Sequence, residues 1–162
     1  MVAVLAHALG VIRRDIFGKP CDVNALATAA LYHDASEILT GDLPTPIKYH
    51  NAEIMSAYHA VEDLAVQKLL DMLPPELRAT YADVLSEDKD GNIYPLVKAA
   101  DKLSAYIKCI EERKAGNNEF LSAEAQTRAA LDASPLPEVQ YFLQHFIPAF
   151  ERDLDELGAI GQ

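Results

Sequence analysis

Tryptophan is absent from this chain, cysteine occurs only at Cys21 and Cys109, and basic residues are outnumbered by acidic ones, fourteen against twenty-five. Two cysteines that form no CxxC pair make no disulfide framework, so a reducing cytoplasm is the expected compartment. The formal charge of −11 argues against a nucleic-acid or anionic-membrane surface. No hydrophobic run approaches the roughly 20 residues that span a bilayer, and a soluble protein is expected. The opening stretch Val2 to Leu9 is apolar but lacks a basic lead-in and is too short for a secretory signal. GxGxxG, GxxxxGK[ST], GxSxG and HExxH are all missing, which removes the usual dinucleotide, P-loop, nucleophile-elbow and zinc-helix readings. No stretch alternates apolar and polar residues as a half-buried strand does, so the class read from periodicity is all-α.

At 162 residues the chain has the size of one domain with a real core. A first helix is expected to run to about Phe17, starting at full hydrophobicity with no cap and no polar lead-in, as though entered in mid-helix. A second begins at the N-cap candidate Asp22, and a loop with two prolines and a glycine, Thr40 to Pro46, breaks it. Ala52 to Met72 reads as an amphipathic helix anchored by Met55, Val61, Leu64, Ala65, Leu69 and Met72. A short helix follows from Pro75 to about Leu85. Ser86 to Asn92 reads as a polar turn rather than a calcium loop, because Val97 stands where the twelfth, bidentate carboxylate belongs. Ile93 to Ala115 forms the next helix, with Leu96, Leu103, Ile107 and Ile110 on one face and Asp101 on another. Two last helices, near Phe120 to Ala133 and Glu138 to Leu157, close the fold. His7, His50, His59 and His145 stand singly and are read as packed or surface residues.

The stretch that stands out is Tyr32-His33-Asp34-Ala35-Ser36-Glu37. Projected at about 100° per residue, Val23, Leu26, Ala27, Ala30, Leu31 and Ile38 share an apolar arc. His33 and Asp34 lie on that arc or at its edge, with Glu37 between them. Burying such groups without partners costs about 1–3 kcal/mol each, and a metal ion is one partner that removes the cost. A neutral imidazole nitrogen beside a carboxylate is a mixed N/O donor set, suited to Mn, Co, Fe, Ni or Zn more than to Ca. Glu37 is spaced to contact a water on such a metal. A hydrogen-bonded core pair between His33 and Asp34 is the competing reading of the same residues.

His33-Asp34, followed far downstream by Asp101 in Lys98-Ala99-Ala100-Asp101-Lys102-Leu103, resembles the HD-domain metal phosphohydrolases, which are all-α helical bundles. More narrowly, Tyr32 to Tyr49, with its His-Asp-Ala-Ser-Glu and Thr-Gly-Asp-Leu-Pro-Thr-Pro segments, is similar to the YfbR-type 5′-deoxynucleotidases of bacteria. The likeness extends to Ala115-Gly116-Asn117-Asn118-Glu119-Phe120-Leu121 and covers nearly the whole chain. It implies a single HD domain over 1–162, with His33, Asp34 and Asp101 as metal ligands and Glu37 orienting or deprotonating the attacking water. It implies that Asp42, Leu43, Pro44 and Thr45 hold the deoxyribose, Asp42 accepting from the 3′-hydroxyl. Lys48, by charge and by nearness to that loop, is a candidate phosphate neighbour. The implied cofactor is a divalent transition metal such as Co or Mn, the implied substrate a deoxyribonucleoside 5′-monophosphate, and the implied assembly a homodimer.

The family's first ligand histidine, its phosphate-contacting Arg and a neighbouring Trp lie upstream of where this chain begins. The chain is therefore expected to be N-terminally truncated relative to the family and to hydrolyse deoxynucleotides poorly. His7 lies well past the motif position. The alternatives left open are an HD-family phosphohydrolase for another phosphorylated metabolite and a non-catalytic HD-like scaffold.

Overall fold

The computed structural model describes residues 1–43, 47, 50–85, 91 and 93–153, and every described element is helical or a turn. The order is α1 (Val2–Val11), a π-helical turn (Ile12–Ile16), α2 (Val23–Tyr32), α3 (Glu37–Thr40), α4 (Ala52–Asp71), α5 (Pro75–Leu85), α6 (Tyr94–Lys114), a 3₁₀ turn (Asn118–Phe120), α7 (Leu121–Asp132), α8 (Pro137–His145) and α9 (Ile147–Glu151). None of the described helices is long and apolar enough to cross a membrane. The chain divides into two units, residues 1–30 with 92–162 and residues 31–91, and each is described by itself.

The first unit is organised by α6. Its residues Leu96, Ala100, Leu103, Ile107 and Ile110 recur at helical spacing and are fully buried, the apolar stripe that periodicity predicts. Against it pack Leu5, Ala6, Leu9 and Ile12 at the start of the chain, Leu26 and Ala30 of α2, Leu131 of α7, and Val139, Phe142 and Leu143 of α8. Removing a Leu or Ile side chain of this kind from water stabilises a fold by about 1.5–3 kcal/mol. Pro95 in the first turn of α6 costs nothing there, since its missing N–H has no partner in a helix start.

Helix α6 ends in a tight reversal. Gly116 adopts φ +87°, a left-handed conformation that favours glycine. The Asn117 amide donates to the Glu112 carbonyl at 2.9 Å, its side-chain amide donates to the Glu112 carboxylate at 2.9 Å, and its side-chain oxygen accepts from the Glu119 amide. Next to Glu112, Arg113 donates to both oxygens of Glu124 on α7 and to both oxygens of Glu151 on α9. The end of α6 is thus tied to two other helices.

Glu138, in the first turn of α8, is fully buried, with Arg13 Nε of the π-helical turn 3.6 Å away. A carboxylate at a helix start is favoured by the helix dipole. The expected single helix from Glu138 to Leu157 is two: α8 stops at His145 and α9 restarts at Ile147 with Pro148 in its first turn. Proline has no N–H and its ring clashes with the preceding turn, so it interrupts a helix that apolar spacing alone would continue.

The second unit is built differently. Asn51 caps α4, its side-chain oxygen accepting from the Ile54 amide at 2.7 Å. The buried residues of α4 are Ala65 and Leu70, whereas Val61, Leu64 and Met72, expected as anchors, are 49%, 56% and 70% exposed. Of the expected anchors Ala65 is buried and Met55 and Leu69 are part-buried, so spacing located the covered side only in part. α4 packs against α3 and α5, and Arg78 of α5 donates to the Leu73 and Asp71 carbonyls at the end of α4. Most of the polar turn expected at Ser86 to Asn92 lies outside the described residues.

Candidate active site

Asp22 does cap α2: its carboxylate accepts from the amides of Asn24 at 3.1 Å and Ala25 at 2.9 Å, a contact worth about 1 kcal/mol. From there Val23, Leu26 and Ala30 are buried as the arc requires. The helix ends at Tyr32, however, and His33 to Ser36 form a turn in which the Ala35 amide donates to the Tyr32 carbonyl and the Glu37 amide to the Asp34 carbonyl. Beyond Tyr32 the helical projection no longer holds. Leu31 and Ile38, placed on the apolar arc by that projection, are 69% and 76% exposed.

The turn itself creates the site. His33 Nε2 lies 2.9 Å from Asp34 Oδ2; the imidazole side chain is 10% exposed and the carboxylate 52%. Two donor atoms of adjacent residues therefore converge on one point, with one of the two open to solvent. A pair sealed in a core, the competing reading of these residues, would cover both. Glu37, part-buried, begins α3. Tyr32, immediately before the pair, meets Tyr81 of α5 edge to face with ring centroids 6.0 Å apart, a geometry aromatic pairs prefer. That contact braces the point where the helix gives way to the turn.

α3 lasts one turn and ends at Gly41, with φ +72° and ψ 162°. This corner of backbone space is essentially restricted to glycine and costs other residues about 1–3 kcal/mol. The Gly41 carbonyl accepts from Thr40 Oγ1 at 3.0 Å and from Tyr58 Oη of α4 at 3.2 Å. Asp42, exposed, and Leu43, part-buried, follow at once. His33, Asp34, Glu37, Asp42 and Leu43 thus lie within eleven consecutive residues of the second unit. Asp101 stands on α6 of the first unit, exposed and off the Leu96–Leu103–Ile110 stripe. Pro44, Thr45 and Lys48 lie outside the described residues.

Among the described residues no three His, Cys, Asp or Glu side chains are gathered to hold a metal ion. The His33–Asp34 pair is nonetheless a fitting part of such a site: an imidazole nitrogen and a carboxylate oxygen are both ligands for divalent transition metals, and here they already face one another. Sequence reasoning missed Tyr58 and Tyr81. Nothing in periodicity links Tyr58 to Gly41, seventeen residues away.

The chain matches the family of 5′-deoxynucleotidase YfbR-like proteins over residues 1–150. It is 49% identical over 161 residues to the 5′-deoxynucleotidase YfbR of Shigella flexneri serotype 5b, covering 97% of this chain and 79% of that protein. It is 48% identical over the same length to the protein of that name from Escherichia coli K12. A crystal structure of an HD-domain phosphohydrolase from Listeria innocua superposes with a TM-score of 0.79 at 25% identity, covering 94% of this chain and 74% of that one. A helical chain whose His-Asp turn and Gly-Asp-Leu corner fall inside a match of this extent belongs to the YfbR-like 5′-deoxynucleotidase family.

Proposed function

We propose that residues 1–162 form one HD domain that releases phosphate from deoxyribonucleoside 5′-monophosphates in a metal-dependent reaction, slowly as expected of the ligand set His33, Asp34 and Asp101. In this reading the protein is cytoplasmic and acts as a homodimer. The observation that carries it is the His33–Asp34 pair at 2.9 Å, set in a chain 49% identical to a named 5′-deoxynucleotidase. His33, Asp34 and Asp101 hold the divalent cation, with Co or Mn suited to their N/O donors. A bound transition metal would supply Lewis acidity, lowering the pKa of a water toward neutrality and polarising a phosphoryl oxygen.

The remaining work falls to the protein. Glu37 takes a proton from the water that attacks phosphorus. As the new P–O bond forms, the bond from phosphorus to the 5′ oxygen breaks, that oxygen takes a proton from solvent water, and the nucleoside leaves as an alcohol. Asp42 accepts a hydrogen bond from the sugar 3′-hydroxyl, and Leu43, Pro44 and Thr45 close around the ring so that a 2′-hydroxyl is excluded. Lys48 offsets phosphate charge. The 3′-hydroxyl contact holds either sugar, so discrimination rests on the close fit at the 2′ position, where a hydroxyl left without a partner is costly.

The test is phosphate release from deoxyadenosine and adenosine 5′-monophosphates with added cobalt or manganese, for the wild type and Glu37→Gln. The expected results are preference for the deoxy substrate and a drop of about 10²–10⁴-fold in turnover for the amide, which cannot take a proton. Equal rates on the two sugars would overturn the substrate assignment, and near-normal turnover by Glu37→Gln would remove it from the mechanism. The Listeria structure, titled only as an HD-domain phosphohydrolase, favours a second reading: hydrolysis of another phosphorylated metabolite. Equal cleavage of both sugars would select that one.

A further inference from the structure

We propose that Tyr58 is a positioning residue for the sugar-contacting carboxylate: from α4 its hydroxyl holds the Gly41 carbonyl and so sets the direction in which Asp42 leaves the loop. The inference rests on the reading of Asp42 as the sugar contact.

The argument begins with the peptide unit between Gly41 and Asp42. Its carbonyl oxygen belongs to Gly41 and its nitrogen to Asp42, and the unit is planar and rigid. Holding the oxygen therefore fixes the axis about which Asp42 turns. Glycine imposes little preference of its own here, since without a Cβ it moves freely among conformations that other residues avoid. The observed φ of +72° and ψ of 162° must then be held from outside the residue. Two hydroxyls meet the carbonyl oxygen: Thr40 Oγ1 at 3.0 Å and Tyr58 Oη at 3.2 Å. Thr40 is the preceding residue, moves with the turn and also has the Ser36 carbonyl within 3.4 Å. Tyr58 sits on a helix of twenty residues that packs against α3, so it ties the corner to something rigid. An aromatic side chain has few rotamers to lose when it makes such a bond, which suits it to fixing a loop that must be in place before the ligand arrives.

The test uses the whole chain with Tyr58→Phe, which removes one oxygen and keeps the ring, and Asp42→Asn for comparison. Hydrogen exchange at the Gly41 amide, which donates to the Glu37 carbonyl at 2.9 Å, reports the corner directly. Titrations with 2′-deoxyadenosine and 2′,3′-dideoxyadenosine 5′-monophosphates in the presence of manganese report preference for the sugar that carries the 3′-hydroxyl. Loss of one hydrogen bond predicts exchange about two- to tenfold faster at that amide in Tyr58→Phe, with a similar fall in preference for the sugar that carries the 3′-hydroxyl. Unchanged exchange overturns the proposal. Faster exchange with unchanged preference, while Asp42→Asn loses preference, overturns the positioning role and leaves the Asp42 reading standing. Unchanged preference in Asp42→Asn removes the Asp42 reading and this proposal with it.

Discussion

Residues 1–30 with the described part of 92–162 and residues 31–91 are both helical, yet they spend their apolar residues differently. The first unit buries a continuous set from Leu5 to Ile147 around α6. Among the described residues of the second, Ala65 and Leu70 alone fall in the buried class, while Leu31, Ile38, Val61, Leu64 and Met72 stand about half exposed or more. His33, Asp34, Glu37 and Asp42 stand in this sparsely packed unit, and Asp101 in the dense one. Segments that bind ligands are commonly drawn from the less stable part of a fold, because they must adjust around what they bind. The contrast here is that separation of tasks: one region supplies stability, the other a turn and a corner whose geometry is held by polar contacts and two aromatic braces.

The contrast can be broken or sharpened by substitution. The largest effect is expected at the Arg13–Glu138 pair, where Arg13→Ala leaves a fully buried carboxylate without its counter-charge. Stripping one partner from a buried pair costs about 3–5 kcal/mol, to be read by chemical denaturation. Ile107→Ala, at a fully buried position of α6, is expected to cost about 2–5 kcal/mol by the same measurement. Asp22→Ala removes the cap of α2 and is expected to cost about 1 kcal/mol. The smallest effect is expected at Leu64→Ala, 56% exposed on α4, within about 0.5 kcal/mol of wild type. A Leu64→Ala loss as large as that of Ile107→Ala would erase the difference between the two regions.

How much of this was legible beforehand follows the same division. Where packing is dense, periodicity suffices: Leu96, Leu103, Ile107 and Ile110 are fully buried as their spacing predicts, and Asp101 is off that face. Where polar contacts decide, it fails. The helix was projected through His33 and Asp34, but it stops at Tyr32, because a turn with its own hydrogen bonds competes with helix continuation there. Pro148 was read through, although its missing N–H divides the last helices. The Tyr58–Gly41 bond and the Arg113 tie to Glu124 and Glu151 join residues far apart in the chain, and single-sequence patterns carry no record of such pairings. The residues of the candidate site were legible for another reason, the resemblance of a whole motif.

The central claim, that the His33–Asp34 turn and Asp101 hold one divalent cation, is tested most directly by adding substoichiometric Mn²⁺ to isotope-labelled protein. Bound Mn²⁺ broadens the amide signals nearest to it. The account predicts that signals of Tyr32 to Glu37 and of Asp101 vanish together and first, and that His33→Ala abolishes the effect. Broadening that spreads over the acidic surface, or that spares either His33–Asp34 or Asp101, would contradict it.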